Sequence, residues 1–367
     1  YKYSVSSVNE FTELLRQNFA QSLPLVDFSS DELFYLPNLA RISTNGMKQL
    51  LSAPASNQSF GLQAMTEEIH ATFQIESIHS SRNSIRHILN GYAPRNEEES
   101  RIYGMKRGLD FIADRQNTIT EENLHQLYQI STGDYLPDED RLLPDHFYRH
   151  DVVYVVDGEE SREGLPAQQL PDAMKRLVDF ANAKDGINEL HKAAILHFAF
   201  AYYHPYFDGN GRTARLLHLW YLVQQGYPAA LFTPFSRYIA ESKAAYYKAY
   251  DRVEKNALIS GYTDVTPFLS YFCNEVYNRL QVDAAPPQAD LQVYQTALAE
   301  GKITEKERLL WEYVLSAYGT EEFTTKQLEK DFRNAAYATI RTFVMKFHEM
   351  ELLVARKTGN RVFYKVK

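Results

Sequence analysis

The feature that most constrains this chain is a pair of apolar segments joined by a short polar loop. Residues 193–203 (AAILHFAFAYY) are apolar on every side, which predicts a buried helix rather than a surface one. His204-Pro205 ends it, because a residue that precedes proline is biased away from helical geometry. Residues 212–223 read as a second, strongly apolar helix. Between them lies Tyr206-Phe207-Asp208-Gly209-Asn210-Gly211, so a glycine-rich polar loop is expected in the middle of a helical core.

That loop has a physical logic. The second helix presents unpaired N–H groups and a positive dipole end to it, and glycines let an anion approach the backbone closely. Arg212 and Arg215 sit in the first turn, where cations oppose the dipole, and three-residue spacing puts them on one face. The combination suits a partner with several negative charges, such as a di- or triphosphate. Asp208 is then a natural ligand for Mg²⁺ on those phosphates, and His204, at the loop's other edge, can serve as a general base. Rival patterns fail. There is no P-loop lysine. Tyr206 and Leu217 stand where an EF-hand needs its first and last ligands. His197 and His204 share a helix face but lie about 10 Å apart along the axis, too far for one zinc ion.

The remaining sequence reads as mainly α. Phe11, Leu14, Leu15 and Phe19 follow helical spacing after Asn9, a candidate N-cap, and so do Leu62, Met65, Ile69, Phe73 and Glu76. Residues 95–101 are a charged stretch expected at a solvated helix start. Residues 151–157 (DVVYVVD) are β-branched and lead to a polar segment that ends at Pro166, which predicts a small hairpin; helical period returns at 171–182. An Ala/Pro/Gln-rich stretch around Pro286 and Pro287 predicts a linker. Beyond it, helices at 304–318, from 324, and at 335–350 capped by Asn334, then a hairpin of 353–357 and 361–366, give the layout of a winged helix-turn-helix. The expected division is an N-terminal helical region 1–104, a core 105–282, a linker 283–300 and a winged helix 301–367.

The chain has 367 residues, 39 basic and 47 acidic, for a net charge of −8. That argues against nucleic-acid binding through the whole surface. Residues 301–367 nevertheless hold 13 basic and 9 acidic residues, a net +4 against −12 for the rest. The asymmetry fits a DNA-facing surface, with Arg333, Tyr337 and Arg341 on the recognition helix and Arg356, Lys357 and Arg361 on the wing, and such a module equally serves dimerisation or protein docking. A single cysteine, Cys273, cannot form an internal disulfide and fits a reducing, cytoplasmic setting. No apolar run approaches the roughly 18 residues a membrane span needs, so no membrane partner is expected.

His204-Pro-Tyr-Phe-Asp-Gly-Asn-Gly-Arg212-Thr-Ala-Arg215 resembles the signature HPFxxGNGRxxR of Fic-domain proteins, with Tyr206 in place of Phe. The resemblance implies a helical Fic fold and a protein adenylyltransferase that uses ATP and Mg²⁺. In it His204 deprotonates a Ser, Thr or Tyr hydroxyl. Asp208 holds the metal, Asn210 with the backbone of Gly209 and Gly211 forms the anion hole, and Arg212 and Arg215 hold the β- and γ-phosphates. The segment Val153, Tyr154, Val155 and Val156 resembles the family's flap, where a target adds as a β-strand. Tyr246 and Tyr247 resemble an adenine-lining pair, although Glu254 stands where relatives often have Asn. Thr72-Phe-Gln-Ile-Glu76-Ser77 resembles the inhibitory motif [ST]xxxE[GN], which implies that Glu76 takes Arg215 from the γ-phosphate; Ser77 departs from the pattern. A protein substrate, self-modification, a homodimer and reversal of the transfer are implied as well. The alternative is a DNA-binding regulator whose Fic site senses nucleotide.

Overall fold

The computed structural model describes residues 8–42, 51, 58–157, 160–283, 294, 296–298, 300–318, 322–332, 334–359 and 361–367. The chain is mainly helical. Its described strands form three separate two-stranded antiparallel hairpins. It divides into two compact units, residues 1–52 with 67–281, and residues 53–66 with 282–367.

The first unit begins with α1 (Val8–Phe19) and the hairpin β1 (Gln21–Val26) and β2 (Glu32–Tyr35). Asn9 lies inside α1 rather than capping it, and Phe11, Leu14 and Phe19 are exposed, so that apolar stripe is not a core face here. Helix α2 (Gln58–Ile75) belongs to this unit from Glu67 onward, where it buries Ile69 and Phe73, as its period predicts. Helices α3 (Arg82–Leu89), α4 (Glu97–Ala113) and α5 (Glu121–Ser131) follow. The charged start of α4 is not wholly solvated: Asn96 caps it, and Glu99 is fully buried and bound by Arg95.

The predicted hairpin is β3 (Tyr154–Asp157) and β4 (Glu160–Glu163), with Tyr154 opposite Glu163 and Val155 opposite Arg162. Pairing starts at Tyr154, so Val152 and Val153 lead into the strand rather than belonging to it. Helix α6 (Leu170–Asn182) follows, with Pro171 in its first turn. The central pair is α7 (Glu189–Tyr203) and α8 (Asn210–Gln224). Leu190, Ile195, Leu196, Phe198, Phe200, Leu216, Leu217, Leu219 and Trp220 are all essentially inaccessible. Burial of such side chains contributes roughly 1.5–3 kcal/mol each, and it is this central layer that fixes the two ends of the polar loop. Helices α9 (Phe235–Glu241), α10 (Lys243–Ser260), α11 (Thr266–Tyr271) and α12 (Asn278–Asp283) complete the unit. Residues 67–104 pack in this unit together with the central helices.

The described part of the second unit contains α13 (Glu305–Ala317), α14 (Thr325–Phe332), α15 (Tyr337–Glu349) and the hairpin β5 (Leu353–Thr358) and β6 (Arg361–Val366). Thr304 and Glu307 form a reciprocal capping box at α13. Helix α15 starts at Tyr337 with Ala336 as its cap, so Asn334 does not cap it. Leu310, Trp311, Val314, Leu328, Ile340, Phe343 and Phe347 form one core, and Phe323 exchanges both backbone hydrogen bonds with Tyr364. Arg333 and the Pro286-Pro287 linker lie outside the described residues. Among the described residues no helix is long and apolar enough to cross a membrane.

Candidate active site

His204 ends α7 in the left-handed region, at φ 56°. Its backbone N–H still bonds Phe200 O, at 3.1 Å, so the helix closes normally while the side chain turns out of the helical track. Nδ1 lies 3.1 Å from Ala201 O. A carbonyl can only accept, so Nδ1 carries the proton and the neutral ring keeps its lone pair on Nε2. Burial pushes the imidazole down to about 4, opposed first by its hydrogen bond to Ala201 O and reinforced by the nearby Arg162 and Arg149 guanidinium groups, with a smaller opposing effect of Asp208. At neutral pH it is uncharged and able to take a proton.

The loop that follows is braced from within. Asn210 Oδ1 accepts from the Tyr206 N–H at 2.9 Å, and Asn210 Nδ2 donates to Tyr206 O at 2.8 Å. Both ends of that amide are therefore committed to shaping the loop, and what Asn210 can offer an anion is its backbone N–H. Tyr206 is fully buried and stacks on Tyr128 with centroids 3.6 Å apart. Gly209 adopts φ 78°, and a Cβ there would meet Thr132 Cγ2 at 2.3 Å, so only glycine fits. The first intrahelical bond of α8 runs from Thr213 N–H to Gly209 O, at 3.0 Å. The N–H groups of Asn210, Gly211 and Arg212 precede it and have no intrahelical acceptor.

Arg212 and Arg215 are both buried at this helix start, each only 3% exposed, which makes their compensation obligatory. Asp208 Oδ2 accepts from Arg212 Nη2 at 2.9 Å. Glu76, in the turn just after α2, sets Oε2 2.8 Å from Arg212 Nε and Oε1 against Arg215 Nη2. Thr72 Oγ1 accepts from Arg215 Nε at 3.3 Å. The sequence pattern predicts a contact with Arg215; the carboxylate in fact bridges both arginines. Ser77 takes φ 58° and turns the chain sharply away from α2, the conformation that Gly or Asn would adopt more cheaply.

A cleft of about 710 Å³ opens over these groups, lined by Glu76, His204, Asp208, Gly211 and Arg215 at one end and by Tyr154, Val155, Arg162, Tyr247, Tyr250 and Glu254 elsewhere. Tyr246 lines it too, but is 4% exposed and bonds His197 Nε2 at 2.8 Å, so it serves the core as well. Tyr247 is the more accessible of the pair. A second cleft of about 790 Å³, bordered by Lys248, Arg252, Asp264 and Glu275, contains none of the predicted residues.

Residues 118–222 match the model of the Fic/DOC family. Residues 118–222 are a Fic domain. The protein adenylyltransferase fic-1 of Caenorhabditis elegans is 30% identical over 102 residues, 27% of this chain and 18% of that protein. The protein adenylyltransferase Fic of Nematostella vectensis is 28% identical over 141 residues, 36% of this chain and 31% of that protein. A probable protein adenylyltransferase of Aquifex aeolicus is 30% identical over 113 residues, 30% of this chain and 35% of that protein. The chain thus spans roughly a fifth to a third of the length of these curated relatives. In fold, it resembles a Fic family protein from Desulfovibrio desulfuricans with a TM-score of 0.55 at 17% identity, over 90% of this chain and 95% of that one. A Fic domain containing signaling protein from Bacteroides thetaiotaomicron gives 0.52 at 21% identity, over 65% and 94%.

The Fic domain does not hold its whole cleft. Glu76 reaches it from the turn after α2, and Tyr246, Tyr247 and Glu254 come from α10. The flap segment contributes Tyr154 and Val155 to the cleft; Tyr154 is exposed, and Val153 sits at the hairpin's base. The backbone of Val156 pairs with Ser161. Glu254, which departs from the family pattern, pairs with Arg162 of the flap at 2.7 Å. Sequence reasoning missed this bridge. Its one signal was a lone arginine in the acidic run Glu159-Glu160-Ser161-Arg162-Glu163. It also missed Arg149, which binds the His204 carbonyl and carries no signature of its own.

Proposed function

We propose that this chain is a protein adenylyltransferase that moves AMP from ATP to a hydroxyl of a target protein, and that Glu76 restrains it. One arrangement carries the reading: a neutral imidazole stands at one edge of a glycine loop whose other edge is a helix N-terminus with two buried arginines. His204 Nε2 takes the proton of the incoming hydroxyl. The hydroxyl oxygen bonds to the α-phosphorus, the bond from that phosphorus to the bridging oxygen breaks, and pyrophosphate leaves with the electron pair. The N–H groups of Asn210, Gly211 and Arg212 receive the phosphate oxygens, and Arg212 and Arg215 neutralise the leaving group. Positioning and electrostatic stabilisation then account for the rate.

The donor set also suits Mg²⁺. Asp208 is a half-exposed carboxylate at the cleft floor, and no group of three or more His, Cys, Asp or Glu side chains gathers to cage a metal among the described residues. One carboxylate plus substrate phosphates is how Mg²⁺ is commonly held. When bound there it would offset phosphate charge, with Asp208 as its protein ligand.

The target adds along Tyr154–Asp157, which pairs only with β4 among the described residues, so main-chain hydrogen bonds position the hydroxyl. Tyr247, with Tyr246 behind it, borders the adenine. Transfer of label to protein from ATP labelled at the α-phosphate, but not at the γ-phosphate, supports this reading. Transfer from the γ-phosphate would replace it with a kinase reaction.

The second unit supports a separate reading, a winged helix that contacts DNA. Tyr337 and Arg341 on α15 and Lys357 and Arg361 on the hairpin are exposed. Arg356 is less available than the sequence suggests, because Glu322 binds it. A salt-sensitive shift of duplex DNA by the full chain tests this, and no shift at low salt would end it.

A further inference from the structure

We propose that Arg149 is a positioning residue that holds the general base and the target-docking flap in one fixed register. Its kinetic test rests on the transferase reading above. Arg149 is 2% exposed, in the segment that leads into the flap. Nε donates to His204 O at 2.8 Å, and Nη1 donates to Asp151 O at 2.6 Å. Nη2 donates to Leu165 O. The Arg149 backbone N–H donates to Pro205 O at 2.9 Å. One planar guanidinium thus grips the carbonyl of the catalytic histidine and both ends of the hairpin 154–163.

Each part of that grip has a reason. His204 sits in a left-handed conformation that is unfavourable for a side-chain-bearing residue, and a donor aimed at its carbonyl helps to fix the orientation. Gly164 N–H closes the flap base on Val153 O at 2.9 Å, and Leu165 N–H bonds Tyr203 O at 3.1 Å. Gly164 lets the pieces meet: a Cβ there would lie 2.8 Å from Arg149 Nη2, 2.8 Å from Val153 Cγ1 and 3.2 Å from His204 Cβ. Burying a cation is expensive unless it is fully bonded, and here it is bonded to three carbonyls on the two elements whose spacing the reaction needs. Arg149 does not border the nucleotide cleft, so its effect reaches the chemistry through geometry. Lysine, with one ammonium in place of a rigid fork, cannot make the three contacts together.

The test compares Arg149→Lys and Gly164→Ala, each in the Glu76→Gly protein, by ATP calorimetry and by kcat and KM for target labelling. The proposal expects ATP affinity within about twofold of the parent and kcat lower by about 10- to 100-fold, as displacements near 1 Å produce. Should Arg149→Lys not fold, Gly164→Ala decides, since it displaces the same contact from the other side. Unchanged kcat, or ATP affinity that falls in step with kcat, would overturn the proposal. If the Glu76→Gly parent itself labels nothing, the transferase reading fails. Arg149 is then judged by NMR of Arg149→Lys, which keeps the charge and loses the fork: displaced resonances of the His204 ring and the hairpin support the fixed register, and resonances that stay in place refute it.

Discussion

Glu76 Oε2 lies 2.8 Å from Nε of Arg212, and the same carboxylate's other oxygen binds Arg215. One side chain therefore occupies both cations at the start of α8. A charge-assisted hydrogen bond contributes roughly 1.5–3 kcal/mol, so removing the carboxylate should raise productive ATP binding and self-labelling by about 10- to 100-fold. Glu76→Gly, followed with α-labelled ATP, measures this. An unchanged rate would remove Glu76 from the account as an inhibitor.

Ser77 closes the turn that carries Glu76, at φ 58°. Its exposed hydroxyl accepts from Lys243 Nζ at 3.0 Å, a contact of small value. Relief of the left-handed strain outweighs that loss and the added freedom of the unfolded chain. Ser77→Gly should stabilise the protein by about 1 kcal/mol, read as a Tm higher by about 2 °C. A lower Tm would mean that the hydroxyl does more here than the geometry suggests.

Tyr206 stands where the family signature has Phe, and its buried hydroxyl has no hydrogen-bond partner among the described residues. Tyr206→Phe keeps the stack on Tyr128 and removes an unsatisfied polar group. A gain of about 1 kcal/mol in denaturant unfolding is expected; a loss of similar size would show that the hydroxyl is bonded.

These residues mark how far the sequence could be read. The buried pair α7–α8 and its loop were legible because burial on all sides and a proline-terminated helix leave few alternatives. So was the layout of the second unit, whose hairpin lies close to its expected place. Asn334 is a good capping residue that goes unused, because the chain delays helix entry to Tyr337. Phe11, Leu14 and Phe19 misled because helical period reports an apolar face and not what covers it. The signature points Asn210 at the anion, whereas its amide is spent on Tyr206. The Arg162–Glu254 bridge and the Arg149 clamp join residues far apart in the chain, and no local pattern encodes such meetings.

The buried histidines set a pH dependence. Burial pushes His204 down to about 4 and His218 down to about 3, both from near 6.5. The unfolded chain binds these protons more readily than the native one. Their contribution to stability is therefore full above about pH 6.5 and is lost as the pH falls toward 4 and then 3. Unfolding midpoints from pH 7 to 4 should fall steadily, and labelling should keep its base until the pH nears 4. An acid limb centred near 6.5 would contradict the low imidazole pKa.

In the proposed reaction the loop between α7 and α8 holds a nucleotide's phosphates beside a working base. Intact-protein mass spectrometry of Glu76→Gly, incubated with ATP, Mg²⁺ and a cell lysate, tests it most directly. The account predicts one or more proteins heavier by an AMP group, and none when His204→Ala is added. No adduct on any protein, or an adduct that survives the loss of His204, would contradict it.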